Sequence, residues 1–582
     1  MAAPADGSAP AAPAAKDAPA TTAAAPSPPQ VADTDTPATG EVLPKVELSS
    51  EILFKVTAAE LAFKRGDWKG PFVTMMSLAH QTGDPRLAHR AAEMALAAKQ
   101  GGEAMAAIQL WRSLAPNSEE ANDYFLGFIV LTDDIELAEP VFVQRLKDAN
   151  PAQRGVRMLQ MQQLLTRAKD KLFAYAMLER VLAPYKDTLE AHLVMAQAAF
   201  TLGETARAAR EAQQALLIKP DSELAILTLA QVTADPEVVS AMLKAFLDKN
   251  PDAGTVRTAY ARVLVDQQRF APAREQFLIL HKAEPDNVTT LYALGIVSVQ
   301  LNDNAAAEGY FKQFLAVLAA HPKDGHDPSK VLMILSQMSE DKGDIPGALR
   351  WLDQIDASMA QDTYFSAQLR RAQLVARDSL DAGRKLLSVI KTDDVSQQTQ
   401  VLLVDAQLLR DAGYDDTAFA VLYSGLQRFP NDPALLYDYA LAAEKLDKLD
   451  IMEASLRQVI AQAPNNRQAY NALGYSFAER NIRLPEAYAL IDQALKMGPD
   501  DPFVIDSMGW VQFRMGNLAQ AEDLLRRAYT LRADPEIGVH LGEVLWVKGD
   551  KKDAHKIWRE AQAKDPKNAA LKSTLARLKQ RL

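Results

Sequence analysis

The sequence predicts an all-α solenoid, a superhelix of roughly fourteen helical hairpins. Three observations carry that prediction. Small residues recur at a period of 33 to 35 positions, prolines fall at a fixed distance behind them, and the composition is rich in Ala and Leu with only 7% aromatic residues. A chain of 582 residues would otherwise divide into several globular domains, because single cores stop growing beyond ~250 to 300 residues. A repeat array has no such limit.

The register is clearest near the C-terminus. Gly474 is followed by Ala487, Ala494 and Pro499, Gly509 by Ala521 and Ala528, and Gly542 by Ala554, Ala561 and Pro566. Stepping back from Gly474 by 34 residues reaches Ala440 and then Ala406, each with a proline 24 positions later, at Pro464 and Pro430. Upstream, Ala196 precedes Ala208, Ala215 and Pro220; Ala261 precedes Ala273 and Pro285; Gly295 precedes Ala307; Gly127 precedes Pro151; Ala92 precedes Ala104, Trp111 and Pro116. Degenerate units centre on Ser336 and Ala372. Small side chains on paired helices let their axes approach closely, and a proline ends the second helix because it has no N–H to donate.

This pattern resembles the tetratricopeptide repeat, a 34-residue helix–turn–helix unit. Two stretches break it. The segment TADPEVVSAMLKAFLDKNP, from Thr233 to Pro251, reads as too short for a unit, and AAHPKDGHDPSK, from Ala319 to Lys330, adds polar residues. The expected organisation is a disordered Ala/Pro-rich tether over 1–45, an N-terminal array over 46–318, a polar loop or hinge over 319–330, a C-terminal array over 331–547, and a basic end with a capping helix over 548–582. The tether holds fifteen Ala and nine Pro and no aromatic residue, too little apolar surface to offset the entropy of ordering. It is what a secreted chain would show if its signal had been removed and a Met supplied.

Charge and composition narrow the function. The net formal charge of -11 disfavours a general role on nucleic acid, where Lys and Arg must neutralise phosphates. Residues 548–582 run against the trend, with eleven Lys or Arg against four Asp or Glu; at +7 they leave -18 for the rest. The chain contains no cysteine, which excludes disulfides, thiolate metal sites and lipid attached through sulfur within it, and it contains no apolar run approaching the ~18 residues of a membrane span. Phosphate-binding glycine loops, Gly-x-Ser-x-Gly elbows and His-Glu-x-x-His pairs do not occur. No enzyme activity, cofactor or metal is expected.

In tetratricopeptide arrays the first helix of each unit lines a concave groove, so the resemblance implies partner-binding residues near the small anchors. These are Asn471, Tyr475 and Glu479; Asp506, Trp510, Phe513 and Arg514; and Val539, Glu543 and Trp546. Trp and Arg side chains often dominate such interfaces. His540 reads as a packing residue.

Beyond the generic repeat, ILFKVTAAELAFKRGDW, TGDPRLAHRAAEMALAAK and the closing run from Asp501 to Pro566 are similar to secreted tetratricopeptide lipoproteins of Gram-negative bacteria. That family includes the outer-membrane adaptor of a carboxyl-terminal processing protease, which presents cell-wall hydrolases for degradation. The resemblance implies a non-catalytic scaffold in the periplasm, associated with the outer membrane and holding proteins or peptides in its groove. Those lipoproteins are anchored through an N-terminal cysteine, which this chain lacks. An assembly factor for pilus or polysaccharide export machinery is the alternative, and a repeat-bearing glycosyltransferase is the alternative of another class.

Overall fold

The computed structural model describes residues 44–132, 134–321 and 325–582. Residues 1–43 of the expected tether lie outside the described residues, as do 322–324 of the expected polar loop. Some 77% of the described residues are helical, and they contain no strand. Among the described residues thirty-one α-helices fall into fifteen successive pairs and a final helix, Ala569–Arg577, so the architecture is an all-α array of tetratricopeptide-type hairpins. Contacts divide the chain into two compact units, with the boundary between Ala320 and His321.

Local chemistry sets the helix ends. First helices start on side-chain caps: Ser118 accepts from the Ala121 N–H, Ser222 from Ala225, Asp432 from Leu435 and Asn466 from Ala469. Each satisfies a backbone donor that has no intrahelical partner. Glu119 and Glu120 occupy a first turn, as do Asp415 and Asp416, where carboxylates favour the positive end of the helix dipole. Asp415 and Asp416 open the second helix of their hairpin.

The anchors explain how the paired helices meet. A Cβ on Gly474 would lie 2.6 Å from Ile491 Cγ1 and 2.9 Å from the Ala487 carbonyl oxygen, and one on Gly542 would enter the Trp558 indole. The second helix therefore occupies the space a side chain would need. Ala440, Ala406, Ala261 and Ala196 are likewise fully buried.

Within the unit that ends at Ala320, this geometry fails around Gly127. Glu119–Ile129 and Glu139–Asp148 are bridged by a 3-10 turn, Ile135–Ala138, that packs on both. Gly127, expected to be an anchor, accordingly has nothing within 4 Å of its missing Cβ. The stretch from Thr233 to Pro251 also corrects the sequence reading. Pro236–Lys249 is a complete second helix of 14 residues, and the shortening falls on its partner Glu223–Val232, at 10. Asn304–Ala320 continues through the first two residues of the expected polar loop.

The unit from His321 onward is more regular. Its last three first helices, Arg467–Glu479, Pro502–Arg514 and Pro535–Lys548, lie side by side, and each packs its own second helix: Leu484–Met497, Leu518–Leu531 and Lys551–Lys564. Ala569–Arg577 covers the last first helix.

If close approach is the constraint, Gly542→Val should lower the thermal midpoint of the chain by the equivalent of ~1 to 3 kcal/mol, as overpacking does. Gly127→Ala should leave the midpoint unchanged or raise it, because Ala is the better helix former by up to ~1 kcal/mol. Circular dichroism melts of the two variants test this, and a Gly542→Val melt equal to wild type would contradict it.

Candidate functional site

The expected groove residues sit on those three adjacent first helices. Residues one repeat apart become lateral neighbours there, which brings side chains about 34 positions apart into contact. At the centre is His540. Its Nδ1 lies 2.9 Å from Asp506 Oδ2 and 3.0 Å from Oδ1, and its ring stacks on Trp510 with centroids 4.2 Å apart. The Tyr475 hydroxyl is 3.3 Å from His540 Nε2.

The second half of the cluster turns on Glu479. Trp510 Nε1–H donates to Glu479 Oε2 at 2.7 Å, and the Arg514 guanidinium donates to the Glu479 carbonyl at 3.0 Å while lying over the Trp510 ring at 4.7 Å. Phe513 packs against Trp510 at 5.0 Å. Tyr475, Glu479, Asp506, Trp510, Phe513 and Arg514 thus form one connected group with His540.

The titratable groups feel this packing. Burial would lower the His540 imidazolium, but the Asp506 carboxylate, through its charge and its hydrogen bond, leaves it raised above 6.5. The Tyr475 phenol is held well above its ordinary value, first by burial and then by the charges of Glu479, Asp506, Glu536 and Glu444. Burial also raises Glu536. Carboxylates therefore dominate the surroundings of the Tyr475 ring.

Not every expected residue lines an open groove. Trp510 is 2% exposed, because His540 and Arg514 cover its two sides. Asp506 is buried by its pairing with His540. Val539 belongs to the core, where its carbonyl accepts from Trp558 Nε1 at 3.2 Å. Glu543, 2% exposed, is held by a two-pronged pair with Arg577 of the final helix at 2.8 and 2.6 Å. Trp546 sits apart, half-buried beside Trp558, His555 and Lys551. Asn471 is half-buried and Glu479 exposed.

His540 is the member that sequence reasoning missed. The signal was present as a spacing: Asp506 to His540 and Glu543 to Arg577 are both 34 residues. Counting from the anchors Gly509 and Gly542, only 33 apart, placed Val539 where His540 stands.

Comparison with known proteins agrees with the fold. A tetratricopeptide repeat model matches residues 258–325, 437–502 and 507–569. Repeats of this kind generally serve as protein-interaction scaffolds. Over 210 residues the chain is 36% identical to the TPR repeat-containing protein PA4667 of Pseudomonas aeruginosa, a match covering 36% of this chain and 35% of that protein. The chain thus spans about a third of that relative's length. Among solved structures, a thermophilic TPR protein of Thermus thermophilus is 24% identical with a TM-score of 0.28, covering 31% of this chain and 97% of its own. The MamA 41-end fragment from Desulfovibrio magneticus is 17% identical with a TM-score of 0.26, covering 31% and 99%.

The Asp506–His540 pair gives a signed pH dependence. Because the folded His540 is raised above 6.5, its contribution to stability is complete below that pH and is lost as pH rises through the folded value. The stability gap between wild type and His540→Gln should therefore be wider at pH ~6 than at pH ~9. Urea midpoints at the two pH values test it, and an unchanged gap would show that the pair carries no proton-linked stability.

Proposed function

We propose that the first-helix face around Trp510 holds a segment of another protein, and that the chain is a non-catalytic adaptor of the bacterial cell envelope. The supporting observation is the convergence of six expected groove residues with His540 on three adjacent helices. Its accessible edge is formed by the exposed Glu479 carboxylate and the half-buried Tyr475, Phe513 and Arg514. Aromatic and arginine side chains fixed by their neighbours lose little freedom on binding, which is what a recognition surface requires.

In this reading the chain stands in the periplasm near the outer membrane. It brings a carboxyl-terminal processing protease together with cell-wall hydrolase substrates, and the partner carries out the chemistry. Recruitment raises the effective concentration of one partner near another without a catalytic group on the scaffold. The likeness of the N-terminal passages and of the closing run to secreted tetratricopeptide lipoproteins supports this placement.

A crosslinked pull-down from envelope extracts, with partners identified by mass spectrometry, tests the proposal. Phe513→Ala combined with Arg514→Ala is the suitable variant, since it strips the edge without removing the buried Trp510. A processing protease or hydrolase captured by wild type and reduced at least about tenfold by the variant is expected, in line with loss of interface anchors worth ~1.4 kcal/mol or more. Capture of pilus or export subunits instead would contradict the adaptor role, and equal capture by both proteins would move the site elsewhere.

A further inference from the structure

The second helix of the last hairpin, Lys551–Lys564, buries Ala554, Trp558 and Ala561. At 3.6 residues per turn, Lys552, Lys556 and Arg559 fall within about 60° of one another on the opposite side. All three are exposed, and none forms an ion pair with a described residue. Every charged residue on the outermost ridge of this helix is cationic, with the exposed Ala563 between them.

Its counterparts upstream are not. On Leu518–Leu531 the corresponding positions are Ala519, Asp523 and Arg526, and Arg526 is paired with Glu522 at 2.7 Å. On Leu484–Met497 they are Pro485, Ala489 and Asp492, and Asp492 is paired with Lys496 at 2.7 Å. A terminal hairpin needs a polar outer face for solubility, and mixed charges already supply that upstream. Capping therefore accounts for the polarity of the last ridge and leaves its single sign unexplained.

The same end extends the patch. Lys567, Lys572, Lys579 and Arg581 are exposed and likewise lack an ion pair with a described residue. Four acids share the segment: Asp550 and Asp553 are exposed, Glu560 accepts from the Tyr529 hydroxyl at 3.0 Å, and Asp565 accepts from the Lys567 N–H at 3.0 Å, so the eleven bases outnumber them.

The geometry points to this basic end as a docking surface for the anionic headgroups of a lipid bilayer. Two features select a bilayer over nucleic acid. Trp558 is the one Phe, Tyr or Trp between Lys548 and Leu582 and is fully buried, and the half-buried His555 ring is packed edge-on against Trp546 and Trp558, so the cationic ridge itself carries no open ring on which bases could stack. Residues 321–547 of the same unit hold 23 Lys or Arg against 33 Asp or Glu, which would repel an extended polyanion running on from the patch, whereas a bilayer need meet only the patch itself. Val547, 50% exposed, and Leu582, 37% exposed, are apolar neighbours in sequence of Lys548 and Arg581.

Vesicle co-sedimentation of the full chain tests this inference. Vesicles of phosphatidylglycerol and phosphatidylcholine should bind it at least about tenfold more strongly than phosphatidylcholine alone, with the preference abolished in about 0.5 M NaCl. The triple variant Lys552→Glu, Lys556→Glu, Arg559→Glu should lose that preference while melting like wild type. A second variant, Lys572→Glu with Lys579→Glu, should weaken it part way and gives a reading should the first fail to fold. Wild type without a lipid preference, charge-reversed variants that bind equally, or tighter binding to duplex DNA than to the anionic vesicles would each overturn the inference.

Discussion

Everything in this chain depends on two helices being able to lie closer than ordinary side chains permit. At Gly474, Gly509 and Gly542 the partner helix fills the position of the missing Cβ, and at Ala440 and Ala406 a methyl group is fully buried. Interiors are close-packed, so such a site accepts neither a larger residue nor a void without cost. Close pairing within each hairpin fixes the direction in which its first helix presents side chains. The lateral contacts between hairpins follow from that.

Those lateral contacts recur in one form, a carboxylate on one first helix meeting a base on the next. Glu60 pairs with Arg90, Asp438 with Arg410, Glu444 with Arg480, Asp506 with His540, and Glu543 with Arg577 of the terminal helix. Exposed pairs of this kind contribute little stability, roughly 0 to 1 kcal/mol each. Buried members differ, since removing one partner strands a charge away from water. Glu543 and Asp506 are such members, so loss of Arg577 or His540 would leave a carboxylate buried without its base.

In the unit from His321 onward, two surfaces of different chemistry occupy different helices. The aromatic and carboxylate-rich cluster belongs to the first helices, and the cationic ridge belongs to the last second helix, opposite that helix's buried side. A segment seated near Tyr475 and a surface contacting Lys552, Lys556 and Arg559 would not compete for the same side chains. Two-helix repeats keep such surfaces apart because their two helices face different ways.

The sequence by itself determined the helical hairpin, its period and most of its anchors, because a close approach leaves a local mark: Gly or Ala at a fixed spacing, a capping side chain before the first helix and a proline after the second. It also placed Tyr475, Glu479, Asp506, Trp510, Phe513 and Arg514 on the helices that meet. Tertiary structure decided which of those side chains remain accessible. Trp510 and Glu543 are covered by His540, Arg514 and Arg577, residues of the same helix or of one a full repeat away, and such cover leaves no periodic signature. It decided as well that Gly127 is no anchor, since the 3-10 turn Ile135–Ala138 holds its helices apart. The physical reason is the same in each case: spacing records what a residue does to its own hairpin, whereas burial depends on what the neighbouring hairpin brings to it.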